Sequence, residues 1–150
     1  LGDPNAFSFR STRLLFLNAE NVMPHYTAIV TVLVVLVYFF IATRVAAAHI
    51  KFNVKLPAVS GHPDFERVYR VQMNTLEWMP IFLPLLWLCA IYFSDVAAAL
   101  VGLLWIAGRV MYFLGYSQAV EKRVPGFFVQ AMACILLLAG AVAGMIMRVL

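Results

Sequence analysis

Apolar and polar residues along this chain are sorted into long blocks rather than interleaved at short period. Tyr26–Thr43, Trp78–Ser94 and Val124–Met147 contain no charged residue, and between Asp95 and Glu121 the only charge is Arg109. About 20 apolar residues cross a bilayer core as a helix, at a rise of roughly 1.5 Å per residue. The blocks therefore predict four spanning helices over 25–50, 64–92, 95–120 and 125–148.

The breaks between blocks have chemical causes. Pro57, Ser60, Gly61 and Pro63 form the first loop. Pro63 followed by Asp64 and Glu66 suits a helix start, where a missing N–H costs nothing and carboxylates face the positive end of the dipole. Ser94-Asp95 has the chemistry of a short capped turn, and Pro125-Gly126 marks the last boundary. Helices joined by short connections predict an all-α, up-down-up-down four-helix bundle. That topology gathers Lys51, Lys55, Arg67, Arg70, Lys122 and Arg123 at the end carrying the first and third loops. The positive-inside rule then predicts a multi-pass integral membrane protein with those loops in the cytoplasm.

Composition narrows the class further. Of 150 residues, 64% are hydrophobic and 12% charged, where soluble domains carry about a quarter charged residues. A water-soluble chain of this length could not bury so much apolar surface in one core. A cytosolic domain and a nucleic-acid-binding module are both excluded, and the net charge of +4 fits basic loops at a membrane surface. Cys89 and Cys134 lie inside apolar runs and read as small buried hydrophobes rather than a disulfide or metal site. Residues 1–22 break the pattern, with no starting Met and no clean amphipathic period. They read as a non-native or disordered leader, against the alternative of a native surface-lying segment, and 23–150 as the membrane domain.

Ionisable groups inside a bilayer are functional candidates, because each costs several kcal/mol to bury. Arg67, Arg70, Asn74 and Glu77 follow spacings of three, four and three, so they share one face of the second helix. Arg109, Tyr112 and Tyr116 form a second polar face, with Arg123 two turns beyond. Glu77 lies about 20 Å into its helix and Arg109 about 21 Å before Arg123, so both faces occupy the same half of the membrane. They can line one pocket, or Arg109 and Glu77 can simply pair, or the groups can form an interhelical network without a ligand. Guanidiniums clamp carboxylates, and a carboxylate holds an ammonium. Glutathione matches that inventory, as do other small acidic peptides.

Pro80 and Pro84 predict a bend in the second helix, either shaping a lipid-facing cleft or tolerated by packing. Gly140 and Gly144 predict a close helix approach. His62, Asp64 and Glu66 read as loop caps. The spacing of Cys and His suggests no metal site, and there is no phosphate loop or nucleophilic triad.

The stretches GHPDFERVYRVQMNTLEWMPIFLPLLW (61–87) and AAALVGLLWIAGRVMYFLGYSQAVEKRVPGF (97–127) closely resemble the MAPEG family of membrane glutathione-handling proteins. The likeness runs from Met23 to the end and is nearest the branch holding the type-two microsomal glutathione transferase and cysteinyl-leukotriene synthase. The resemblance implies a homotrimer of four-helix subunits with glutathione as co-substrate, bound between subunits near the cytoplasmic side. It implies that Arg70, Asn74, Glu77, Tyr112 and Tyr116 hold glutathione, with Trp78 beside them and Gln72 reaching in from the adjacent subunit. It implies that Arg123 holds the glutathione thiol as thiolate, and that Arg67 and Arg109 are structural. The expected activity is a transferase or peroxidase acting on lipophilic electrophiles or lipid hydroperoxides, with no metal.

The chain departs from the family pattern at three points. His49 stands where the family has an arginine that clamps a carboxylate, a role weakened here or taken over by Lys51. Ile50 stands where the leukotriene synthase has a second arginine, which counts against leukotriene synthesis. Trp78 replaces a tyrosine or phenylalanine. Two other readings compete with the enzyme: a non-enzymatic lipid-presenting protein of the same family, and a small drug/proton antiporter using Glu77. Arg123 argues for the enzyme, because the non-catalytic branch lacks that arginine. The arginines beside Glu77 argue against the antiporter, since they favour a carboxylate that stays ionised.

Overall fold

The computed structural model describes residues 23–150, so the expected leader 1–22 lies outside the described residues. Four long helices follow in order: α1 His25–Lys51, α2 Pro63–Tyr92, α3 Asp95–Gln118 and α4 Val124–Val149. A short 3-10 turn, Glu121–Arg123, joins α3 to α4. The predicted bounds hold within one or two residues. The difference is at the end of α3, which stops at Gln118 so that the chain can tighten into the 3-10 turn. All four helices are long and apolar enough to cross a membrane.

The predicted helix starts form as their chemistry requires. Pro63 opens α2, and the His62 Nδ1 accepts a hydrogen bond from the Asp64 amide at 3.2 Å. The Glu66 carboxylate accepts one from the Gly61 amide at 3.1 Å, so His62 and Glu66 sit in the capping roles read from the sequence, whereas the Asp64 carboxylate pairs with Arg67. Ser94 caps α3 by accepting from the Ala97 amide at 3.3 Å. The connection from α2 to α3 is only Phe93-Ser94, which makes these helices antiparallel neighbours. α2 stays helical through Pro80 and Pro84.

The core lies between α2, α3 and α4, with Val30 and Val34 of α1 closing it. Phe82 stacks on Trp105 with ring centroids 4.1 Å apart, and Leu86, Ala98, Leu137 and Ala141 complete a layer with no exposed surface. Gly140 and Gly144 let α4 close on the end of α2. A Cβ at Gly140 would meet the Cys89 Sγ, and one at Gly144 would fall on the Tyr92 carbonyl. Cys89 and Cys134 are both free and buried, as their apolar surroundings predict.

The opposite surface is apolar too. Ile29, Leu36, Phe40, Leu100, Ile135 and Ile146 all point outward, each at least half exposed. In water such a surface would aggregate; against acyl chains it is the natural outer face.

Candidate functional site

The polar faces of α2 and α3 meet at the end of the bundle that carries the first and third loops. Two glycines set the geometry there. A Cβ at Gly115 would fall on the Lys122 carbonyl, so only glycine lets α3 run so close to the 3-10 turn. A Cβ at Gly126 would fall on the Tyr112 amide nitrogen, so only glycine lets the first turn of α4 rest on α3. Pressed in from both sides, Arg123 places its guanidinium carbon 4.9 Å from the Tyr116 ring centroid. This is a cation–π contact on a buried tyrosine.

The Tyr112 and Tyr116 rings meet edge to face at 5.6 Å, as residues one turn apart on α3 can. Tyr112, Arg123 and Asn74 line one cavity of about 340 Å³, with Val124, Phe127 and Phe128 as its apolar wall. A neighbouring cavity of about 520 Å³, lined by Arg67, Arg70, Glu66 and Tyr69, ends on the same Tyr116. Tyrosine thus separates a basic vestibule from a cavity with one cation and an apolar wall.

Arg109 lies beneath this corner with 0% of its surface exposed. It does not pair with Glu77. Its Nη1 donates to the Asn74 Oδ1 at 3.0 Å, and its guanidinium carbon lies 5.2 Å from the Trp105 ring and 5.0 Å from that of Tyr112. Its Nε and Nη2 have no acceptor among the described residues. The guanidinium therefore holds the side-chain oxygen of Asn74, a residue that also lines the cavity. Glu77 is exposed, and the ion pair found among the described residues is that of Arg67 with Asp64.

The sequence-predicted set is thus gathered in part. Asn74, Tyr112, Tyr116 and Arg123 come together, and Arg70 opens onto the adjoining vestibule. Trp78 packs edge to face on Phe127 at 5.6 Å and so supports the cavity wall. Gln72 is not among them, because two residues along a helix turn it about 200° away from Arg70. His49 is not among them either. Its Nδ1 donates to the Val54 carbonyl at 2.8 Å while the Val54 amide donates back to the His49 carbonyl at 3.1 Å, which ties the imidazole into the end of α1. Sequence reasoning missed Phe127 and Phe128. Their signal was their place, one turn past Arg123 on a helix whose start faces α3.

A microsomal glutathione S-transferase 2 from Homo sapiens is 48% identical to this chain over 88 residues, 59% of this chain and 60% of that protein. A leukotriene C4 synthase from Bos taurus is 40% identical over 119 residues, 79% of each chain. A protein of Synechocystis sp. with no described activity is 44% identical over 116 residues, 77% of this chain and 85% of the relative. The match to the human transferase leaves about two fifths of that protein uncovered. Residues 27–143 match the model of the MAPEG family, which takes in α2 and α3 whole, most of α1 and α4 and every candidate residue described above, and this integral membrane protein belongs to that family.

Proposed function

We propose that this protein binds glutathione at the Asn74, Tyr112, Tyr116 and Arg123 corner and activates its thiol. The observation that carries this reading is Arg123, held over Tyr116 at 4.9 Å, in a cavity with an apolar wall. A free thiol titrates at about 8.5, and a fixed neighbouring cation lowers that value. An arginine does this without a proton of its own to lose. The thiolate would attack a lipophilic electrophile arriving past Phe127 and Phe128. The carbon–sulfur bond forms as the leaving group, or the oxygen of an opened ring, takes the electron pair. With a lipid hydroperoxide, two glutathione molecules would instead become the disulfide as the hydroperoxide becomes an alcohol and water. The named activities of the human and bovine relatives support a glutathione-using membrane enzyme.

Arg70 and Glu77 would hold the ends of the peptide, Arg70 a carboxylate and Glu77 the ammonium. Gln72 faces away from this corner, so its expected contact would come from a second copy, in keeping with a homotrimer whose sites lie between subunits. Lys51, Lys55, Lys122 and Arg123 at the loop end favour a cytoplasmic placement of those loops.

The test is the ultraviolet absorbance of thiolate when detergent-purified protein meets glutathione. Wild type is expected to show it and Arg123→Ala to lose it. An unfolding curve for each protein reports whether the fold is intact. Absence of thiolate from folded wild type would overturn the enzyme reading in favour of a lipid-presenting protein.

A further inference from the structure

A groove runs between α1 and α3, with the start of α2 lining its outer end, on another side of the bundle from the cavity of Asn74, Tyr112 and Arg123. Its deep part is an apolar cleft of about 300 Å³ lined by Leu36, Phe40, Ile41 and Phe113 among others, and it abuts the buried Arg109. Toward the loop end it continues into a cavity of about 440 Å³ that carries Arg44, Lys51 and Arg67. Phe113 lines both parts, and successive turns of α1 lead from one into the other. From Leu36 to Lys51 the groove follows α1 for about 22 Å at helical rise. That is the depth of one leaflet with its headgroup layer, half of a bilayer roughly 40–45 Å thick.

Charge is graded along this length. The deep cleft offers carbon. The outer cavity holds three cations against one carboxylate, Asp64, which is ion-paired with Arg67. Arg44 and Lys51 are exposed, and neither makes an ion pair among the described residues; the Lys51 Nζ lies 5.1 Å from the Phe52 ring centroid. An apolar helix from a second copy would fill the cleft but leave both cations without a counter-charge. A small soluble anion would satisfy the cations and leave the cleft unused.

We propose that this groove binds one anionic phospholipid, its acyl chain along Phe40 and Phe113 and its phosphate between Arg44 and Lys51. The inference does not depend on the glutathione reading. Arg67 also lines the vestibule beside Tyr116, so the test leaves it unchanged.

Native mass spectrometry of the detergent-solubilised full chain would compare phosphatidylglycerol with phosphatidylcholine of identical chains. Wild type is expected to prefer phosphatidylglycerol by roughly 30-fold, the effect of two basic residues at an anionic surface. Arg44→Gln/Lys51→Gln is expected to lose that preference, while Lys55→Gln/Lys122→Gln, which removes two exposed charges of the same end, keeps it. Free glycerol phosphate at equal concentration is expected not to displace the lipid. No preference in wild type would overturn the proposal. So would equal loss in both variants, which means diffuse attraction, or displacement by glycerol phosphate, which means a phosphate site without a chain groove.

Discussion

The carboxylate of Asp95, at the start of α3, closes the N-terminus of α1: one oxygen accepts a hydrogen bond from the Thr27 amide at 2.8 Å and the other from the Tyr26 amide at 3.0 Å. α1 begins after Pro24, which has no side chain to cap it. The cap comes instead from across the bundle, and the carboxylate also meets the positive end of the α1 dipole. Asp95→Ala is expected to destabilise the fold by about 1–2 kcal/mol, with Asp95→Asn, which keeps one acceptor, losing less. Unfolding of the three proteins in detergent measures this; an unchanged midpoint for Asp95→Ala would show the contact to be incidental.

Asn74 and Arg109 make a second dependent pair. Removing the Asn74 carbonyl takes away the acceptor of a wholly buried guanidinium. Asn74→Leu is expected to cost about 1.5–3 kcal/mol, the range for hydrogen bonds to charged groups. Adding Arg109→Met exchanges the buried charge for an apolar side chain and is expected to recover most of that loss. If the double variant is less stable than Asn74→Leu, the guanidinium contributes more through its stacking on Trp105 and Tyr112 than it costs through burial.

The helices and the shared face of Tyr112 and Tyr116 were legible in the sequence because both follow from local rules. Charge-free blocks give spans, proline and serine give starts, and a three-four spacing gives a shared face. What escaped the sequence depends on contacts between distant segments. Asp95 reads as an ordinary first-turn carboxylate of α3, and nothing local says that its oxygens turn 68 residues back to Thr27. Glu77 and Arg109 share a depth, yet depth does not fix which residue on α2 the guanidinium meets; Asn74 lies one turn nearer the loop and takes the bond. Arg44 sits one residue beyond a charge-free block, and its importance appears only when α3 is laid beside α1.

Cys89 and Cys134 offer a chemical test of the core. They are 3% and 5% exposed, one facing Gly140 and the other packed in the α3–α4 layer. Neither thiol is expected to react with a maleimide in the folded protein, and both are expected to label once denaturant is added. Mass spectrometry of the labelled protein counts the adducts. Rapid labelling of either cysteine under native conditions would mean that the α2–α4 or α3–α4 contact opens readily.

Gly126 links the packing to the chemistry. A Cβ there would fall on the Tyr112 amide nitrogen and 2.7 Å from the Gly108 carbonyl oxygen. Both are backbone atoms, so no side chain can turn aside and α4 itself must retreat from α3. Arg123 lies just ahead of Gly126, so that retreat carries its guanidinium off the Tyr116 ring. Gly126→Ala is therefore expected to cost about 1–3 kcal/mol as an overpacked contact, and to reduce the thiolate absorbance with glutathione as well. Gly140→Ala serves as the comparison, because its Cβ would meet the Cys89 Sγ at 2.8 Å, a side-chain atom far from the corner. That variant is expected to lose stability while keeping its thiolate signal. Full thiolate in Gly126→Ala would separate the position of α4 from the reactivity of the site, and equal loss in both variants would trace the signal to stability alone.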